Sequence, residues 1–262
     1  MIAQYDKRVT VKPMKVSLIH MQISDSPEKN LETAEQMLYR AADSGSKFVC
    51  LPEYFALPAS LEDNKHIEKI ADDVYGPAVQ LLKRLSKEVD AYIVGGTILE
   101  KFRGKYYNTC LFLRHGKILG KFRKMHLTVW EKNVGLHVGS TFRVFETEFC
   151  KVGLLICADV FYPRTVRRLA SLGAEVIFLP VSASRTHPYV KGHPLTTKRA
   201  KDNGVFILKN GNTRSNSRGG NSAIISPWGI LNQAKDEMST KIISADLDIT
   251  KLRKYRRATI PE

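Results

Sequence analysis

Cysteine is scarce in this chain: four among 262 residues, Cys50, Cys110, Cys150 and Cys157, with no CxxC spacing. That excludes a disulfide-built scaffold and suits a reducing cytoplasm, where a free thiol in an apolar run packs as a small hydrophobe. Long apolar runs are missing as well. None approaches the ~20 residues a helix needs to cross a bilayer, so no membrane is expected as a partner. Met1 to Arg8 lack the apolar core and cleavage site of a secretory signal, and residues 1–14 read as a short arm ahead of the first strand. HExxH and HxxEH spacings are absent, His137, His187 and His193 are scattered, and neither a P-loop nor a dinucleotide fingerprint occurs. No metal and no organic cofactor is expected.

Acidic residues are also in short supply, 26 against 41 basic ones, for a net charge of +15. Such an excess would suit a nucleic-acid or acidic partner. The basic residues are spread along the chain, however, and are not interleaved with aromatics into one module, so nucleic acid is not expected as a partner. The exception is a basic C-terminal tail, residues 249–262, where Lys251, Arg253, Lys254, Arg256 and Arg257 leave phosphate binding open.

What the chain does have is an alternation of strand-like and helix-like segments from Val16 onward, the pattern of an α/β layered fold. Lys15–Met21 predicts a strand, and Pro27–Ala42 a helix with Leu31, Ala34, Met37, Leu38 and Ala41 on one face. A helix near Pro77–Val89 precedes a strand at Tyr92–Thr97. Asn108–Arg114 and Lys117–Lys121 read as a hairpin turning at His115-Gly116. Pro163–Leu172 reads as a helix and Ala174–Pro180 as a strand, and a further helix and strand follow between Thr196 and Lys209. Nothing marks a domain break, so residues 1–262 are taken as one domain with a large core.

Three apolar runs stop at reactive side chains. Lys151–Ile156 ends at Cys157, Phe48–Pro52 at Glu53, and Ile118–Arg123 at Lys124. A free thiol is mostly protonated at neutral pH, so a nucleophilic one needs a base or a stabilising cation. Glu53 can supply the first and Lys124 the second. In acyl transfer the carboxylate takes the thiol proton and passes it to the departing amine, while the ammonium and the backbone N–H of Ala158 hold the oxyanion. Losing one such donor costs ~3 kcal/mol of transition-state stabilisation. A thiol–imidazole pair is the alternative, with His126, His187 and His193 open as the base.

At these residues the sequence resembles the nitrilase superfamily of carbon-nitrogen hydrolases, from about Val16 to Asp248. Leu51-Pro52-Glu53-Tyr54-Phe55 is similar to that family's glutamate motif. Tyr107-Asn108-Thr109 with the stretch from His115 to Leu127 is similar to its lysine motif, and Gly153–Asp159 with Pro163 to its cysteine motif. The resemblance implies a Glu53-Lys124-Cys157 set with a fourth member, Glu131, in a loop ahead of Gly139, orienting the lysine or the substrate amine. It also implies a four-layer α-β-β-α sandwich, with subunits paired as a homodimer or higher oligomer through the face carrying the helix after Pro163. Ala158, where relatives often carry an aromatic residue, and Arg164, where they often carry glutamate, are departures that bear on specificity.

The function expected is therefore a cytoplasmic amidohydrolase that cleaves a non-peptide C–N bond through a cysteine thioester. Its substrate would be a small amide, an ω-amide of a dicarboxylate, or an N-carbamoyl compound. Arg164, Arg185 and Arg199 are candidate partners for a substrate carboxylate. The rival readings are a true nitrilase, which makes acid and ammonia from a nitrile with the same thiol, and a basic binding protein that keeps the fold without turnover.

Overall fold

The computed structural model describes residues 14–63, 66–73, 75–182, 191–214, 221–235 and 238–259. The expected arm up to residue 13, Arg185, His187 and residues 260–262 lie outside them.

The first part of the chain runs β1 (Met14–Gln22), α1 (Pro27–Asp43), β2 (Phe48–Cys50), α2 (Pro77–Glu88), β3 (Tyr92–Val94), β4 (Ile98–Phe102), β5 (Lys105–Arg114) and β6 (Lys117–Arg123). After one helical turn, α3 (Val129–Asn133), come β7 (Val144–Glu146), β8 (Lys151–Leu154), α4 (Pro163–Ser171), β9 (Val176–Val181), α5 (Pro194–Asn203) and β10 (Phe206–Thr213). The chain closes with β11 (Ala223–Ser226), β12 (Gly229–Gln233), β13 (Lys241–Leu247) and α6 (Ile249–Thr259).

Local chemistry sets these boundaries. Ser26 caps α1 by accepting from the Lys29 amide, and Pro27 supplies the fixed φ of the first turn. The β5–β6 hairpin turns on His115 (φ 51°) and Gly116 (φ 74°), the left-handed pair that matches strand twist. β4 and β5 are joined in the same way by Arg103 and Gly104, a hairpin the sequence pattern did not reveal because its apolar alternation is broken by charge.

Two sheets result. In the first, β13, β1, β2, β3 and β5 lie in that order, with β4 and β6 added along β5; the second runs β7-β8-β9-β10-β11-β12. Among the described residues they join where the end of β1 pairs with β10, at Met21 with Asn212 and Gln22 with Thr213. Elsewhere they face each other, and Phe48 of β2 meets Phe178 of β9 at 5.8 Å between ring centroids. Leu38 of α1 and Leu82 and Leu85 of α2 pack on the outer face of the first sheet, over Ile19, Val49 and Ile93. On the other side, a Cβ built on Gly153 of β8 would stand 3.0 Å from a methyl of Leu169 of α4, so a side chain there would have to push that leucine aside by a few tenths of an ångström. This is the four-layer α-β-β-α sandwich the resemblance implied. Each fully buried Leu, Ile or Phe in these layers contributes roughly 1.5–3 kcal/mol.

Two boundaries differ from expectation. The first strand begins at Met14, one residue earlier than expected. The basic tail is a docked helix: Ile249 and Leu252 of α6 are buried, Arg253 pairs with Glu175 at 2.6 Å, and Arg256 donates to the Gly204 carbonyl at 2.6 Å. Its two apolar anchors, three residues apart, are few among many cations, which is why the string reads as solvated. Among the described residues, no helix is long and apolar enough to cross a membrane.

Candidate active site

Each of the three strand ends is anchored before its side chain is presented. Beyond β2, Tyr54 adopts a left-handed φ of 54°, and the bend is held by Thr97, whose hydroxyl accepts from the Tyr54 amide, and by Asn212, which donates to the Glu53 carbonyl at 2.7 Å. Beyond β6, the Lys124 amide continues the ladder by donating to Asn108 O at 2.9 Å. Glu131 lies in α3 and not in a loop. Its Oε2 accepts from the Thr128 amide and the Thr128 hydroxyl accepts from the Glu131 amide, a reciprocal cap that fixes the carboxylate.

These side chains converge in a dry cluster. The Lys124 ammonium is 2.9 Å from Glu53 and 2.9 Å from Glu131, and all three residues are at most 2% exposed. The Asn108 amide donates to Glu53 at 2.9 Å and to Glu131 at 2.7 Å, and the Tyr54 hydroxyl donates to Glu131 at 2.7 Å. Two carboxylates around one ammonium would be costly in a buried site without these added donors. Burial alone would lower the Lys124 pKa, but Glu53, Cys157 and Glu131 outweigh it and hold the ammonium well above its ordinary range. Burial opposes ionisation of Glu131, yet Lys124 and the Thr128 amide keep its pKa below the usual carboxylate value.

Cys157 opens a single helical turn, Cys157–Phe161, with φ 41°, a conformation that costs about 1–3 kcal/mol for a residue other than glycine. Ala158 follows it, half-buried within that turn. Asp159 fixes the turn: its carboxylate accepts from the amides of Ile156, Met125 and His126 and from His126 Nδ1 at 2.8 Å. The Cys157 turn is thereby stapled to the segment that follows Lys124. The thiol lies within electrostatic reach of Glu53, Lys124 and Glu131, and the Ser182 amide hydrogen-bonds to its sulfur. Burial, aided by Glu53 and opposed by Lys124, pushes its pKa up to about 12, so the resting sulfur is protonated at neutral pH.

The other sequence candidates are placed elsewhere. His126 is engaged by Asp159 and stacks on Tyr162 at 3.6 Å. His193 stands just before α5 without a side-chain capping bond and lies 3.2 Å from the Lys209 ammonium. Arg199 is spent on the carbonyls of Val160 and Phe161, at 3.2 and 3.1 Å, and Arg164 is exposed on α4. Asn108, Tyr54 and Asp159 lie inside the quoted motifs without any role inferred for them, because a polar residue in a strand looks the same in sequence whether it faces water or a buried ion. All four cysteines are free, and among the described residues no cluster of three or more His, Cys, Asp or Glu is placed to hold a metal ion.

Comparison with known proteins follows the same lines. The profile of the carbon-nitrogen hydrolase family matches residues 15–257. Omega-amidase NIT2 of Homo sapiens is 31% identical over 256 residues, covering 93% of this chain and 91% of that protein. Nit3 of Saccharomyces cerevisiae, a member of branch 10 of the nitrilase superfamily, superposes with a TM-score of 0.83 at 28% identity, covering 94% of each chain. An amidase from Nesterenkonia sp. AN1, solved with the acetamide moiety of fluoroacetamide bound covalently at its active-site cysteine, shares the fold at 20% identity, with a TM-score of 0.77 over 94% of each chain. Nearly the whole chain is thus accounted for by one fold and one sequence pattern, and the protein belongs to the carbon-nitrogen hydrolases of the nitrilase superfamily.

Proposed function

We propose that this enzyme hydrolyses a small carboxamide to acid and ammonia, with Cys157 as nucleophile, Glu53 as general base and acid, Lys124 and the Ala158 amide as oxyanion donors, and Glu131 as the group that orients Lys124. The observation that carries this reading is the buried cluster in which one ammonium bridges two carboxylates within reach of the thiol. An ammonium has three donors. Glu53 and Glu131 take two and orient the third toward the developing oxyanion.

The chemistry follows from the protonated resting thiol. As the amide carbon approaches, the Sγ proton passes to Glu53 and the sulfur attacks. The tetrahedral adduct collapses with the Glu53 proton going to the leaving nitrogen, which departs as ammonia and leaves a thioester. Water then gives a proton to Glu53 and attacks the thioester; collapse returns that proton to sulfur and releases the acid. Tyr54 and Asn108 hold Glu131 and Glu53 still throughout.

Among amides, an ω-amide of a dicarboxylate is the substrate we favour, because the relatives at 31% identity are omega-amidases. N-carbamoyl compounds come second, and a nitrile substrate is not favoured. We further propose that the chain acts as one hydrolase domain in the cytoplasm and pairs through the face carrying α4, where Tyr162 is 49% exposed. The test is intact-mass analysis with amides and nitriles of the same acyl group. An acyl adduct on Cys157 from the amide, lost in Glu53→Gln, is expected; acylation that persists in Cys157→Ala would refute the assignment.

A further inference from the structure

One side-chain amide touches both the segment that bears Glu53 and the segment that faces Cys157. Asn212, near the end of β10, is fully buried at the junction of the sheets, where it pairs with Met21 of β1 while β10 runs alongside β9. Its Nδ2 donates to the Glu53 carbonyl at 2.7 Å, and its Oδ1 accepts from the Ser182 hydroxyl at 3.2 Å. Ser182 directly follows β9, and strand register sets it beside the thiol. The Leu155 amide donates to the Phe178 carbonyl at 3.0 Å; continued along both segments, that register brings Cys157 level with Val181, and the Cys157–Phe161 turn packs against β9. The Ser182 amide then donates to the sulfur.

We propose that Asn212 is a positioning residue, which through Ser182 fixes the separation between Glu53 and the Cys157 thiol. This rests on the reading of Cys157 as nucleophile and Glu53 as base given above. An amide side chain suits the place, because it offers a donor and an acceptor on one rigid plane. The Glu53 carbonyl takes the donor and the Ser182 hydroxyl the acceptor. Lys124 and Asn108 hold Glu53 by its carboxylate, whereas Asn212 holds it by its backbone, and the same side chain ties down the strand end whose amide meets the sulfur. Proton transfer from sulfur to carboxylate needs the two at hydrogen-bond distance, so a small displacement costs rate. Apolar packing between the sheets is non-directional and sets no such distance. The bonds of Asp159 fix the thiol's turn against the segment after Lys124, and Asn212 does the equivalent for Glu53.

The test uses steady-state kinetics with glutaramate and, in parallel, pentanamide, and intact-mass detection of the acyl adduct on Cys157. Ser182→Ala removes the hydroxyl and keeps the amide. It should lower kcat about 3- to 10-fold with KM nearly constant, and Ser182→Thr, which restores a hydroxyl, should recover most of that loss. Asn212→Leu should lower kcat about 10- to 100-fold, and adding Ser182→Ala to it should cost nothing more, because one link cannot be broken twice. A further fall of the same size in the double variant would show that Ser182 acts without Asn212, and a rise in KM at constant kcat would show that it holds substrate; either overturns the proposal. So does an unchanged kcat in Ser182→Ala, which loses only a half-buried hydroxyl and decides the matter even where Asn212→Leu fails to fold. These outcomes leave the amidase reading standing as long as the wild type is acylated on Cys157. A wild type left unacylated by both amides overturns that reading, and this proposal with it.

Discussion

The two sheets hold their buried ionisable groups in different ways. From the first come Glu53, Lys124 and Glu131, mated to one another and to Asn108 and Tyr54, so that pairing maintains charge deep in the protein. From the second come Cys157, Lys209 and His193, and there burial is the leading influence, moving all three toward their neutral forms. The contrast bears on the timing of chemistry. On the proposed mechanism the charged cluster stands assembled before substrate arrives, whereas burial keeps the sulfur protonated until an acyl group is positioned beside Glu53. It also separates two costs: disturbing the first side leaves charges unpaired, while removing Cys157 or His193 removes a neutral group.

The largest expected effect comes from Cys157→Ala. Turnover should fall by about 10⁴-fold or more, because the proposed mechanism passes through a covalent intermediate on this residue. Stability should change by about 1 kcal/mol or less, since a neutral thiol is lost and little volume with it. Steady-state kinetics and a denaturant titration on one preparation check both halves of the claim. A large loss of stability would show that the thiol side is as structural as the charged side.

Lys124→Met should behave in the opposite sense. It strands two buried carboxylates, and removing one partner of a buried ionic cluster typically costs about 3–5 kcal/mol. A matching fall in the urea midpoint, together with lost activity, is expected. Adding Glu131→Gln to it should recover part of the stability without recovering turnover, because one stranded charge is then removed. If Lys124→Met proves as stable as Cys157→Ala, the mated cluster does not carry the weight assigned to it.

On the second sheet, His193 allows a test by pH. Its folded-state pKa, about 3, is depressed from 6.5, so the unfolded chain binds the extra proton as pH falls from 6.5 toward 3. Its contribution is therefore present above pH 6.5 and is lost progressively below it, about 2 kcal/mol by pH 5. His193→Asn has no titrating group and tolerates the left-handed φ of 57° at that position, so its melting temperature should fall less between pH 7 and pH 5 than that of the wild type. Parallel acid slopes in the two proteins would mean that His193 titrates normally.

The same division governs what could be read before any coordinates. Glu53, Lys124 and Cys157 were legible because each ends an apolar run, and the β5–β6 hairpin because His115-Gly116 marks its turn. The helix around Glu131 was not, since five residues are too few for a 3.6-residue period to show. Nor was β7, whose three residues, joined to β8 by the turn at 147–150, are too few for an alternating pattern to show. Lys209 was hidden most completely. A lysine after Ile207 and Leu208 suggests a strand turning toward solvent, and only the packing of α5 over the second sheet reveals it as buried.

The smallest effect comes from Tyr54→Phe. The Tyr54 hydroxyl gives Glu131 one of several donors, at 2.7 Å; Asn108 and Lys124 also reach the same oxygen, and the Thr128 amide holds the other. Removing it leaves the carboxylate solvated by protein dipoles, so the loss should be about 1 kcal/mol, or fivefold in kcat, and not the several kcal/mol of an abandoned charge. If Glu131 acts through Lys124, that loss should appear in kcat with KM nearly constant, because the oxyanion forms only after binding. A rise in KM instead would move Glu131 from orienting the lysine to holding the substrate amine, and the first sheet would then share in recognition as well as in proton transfer.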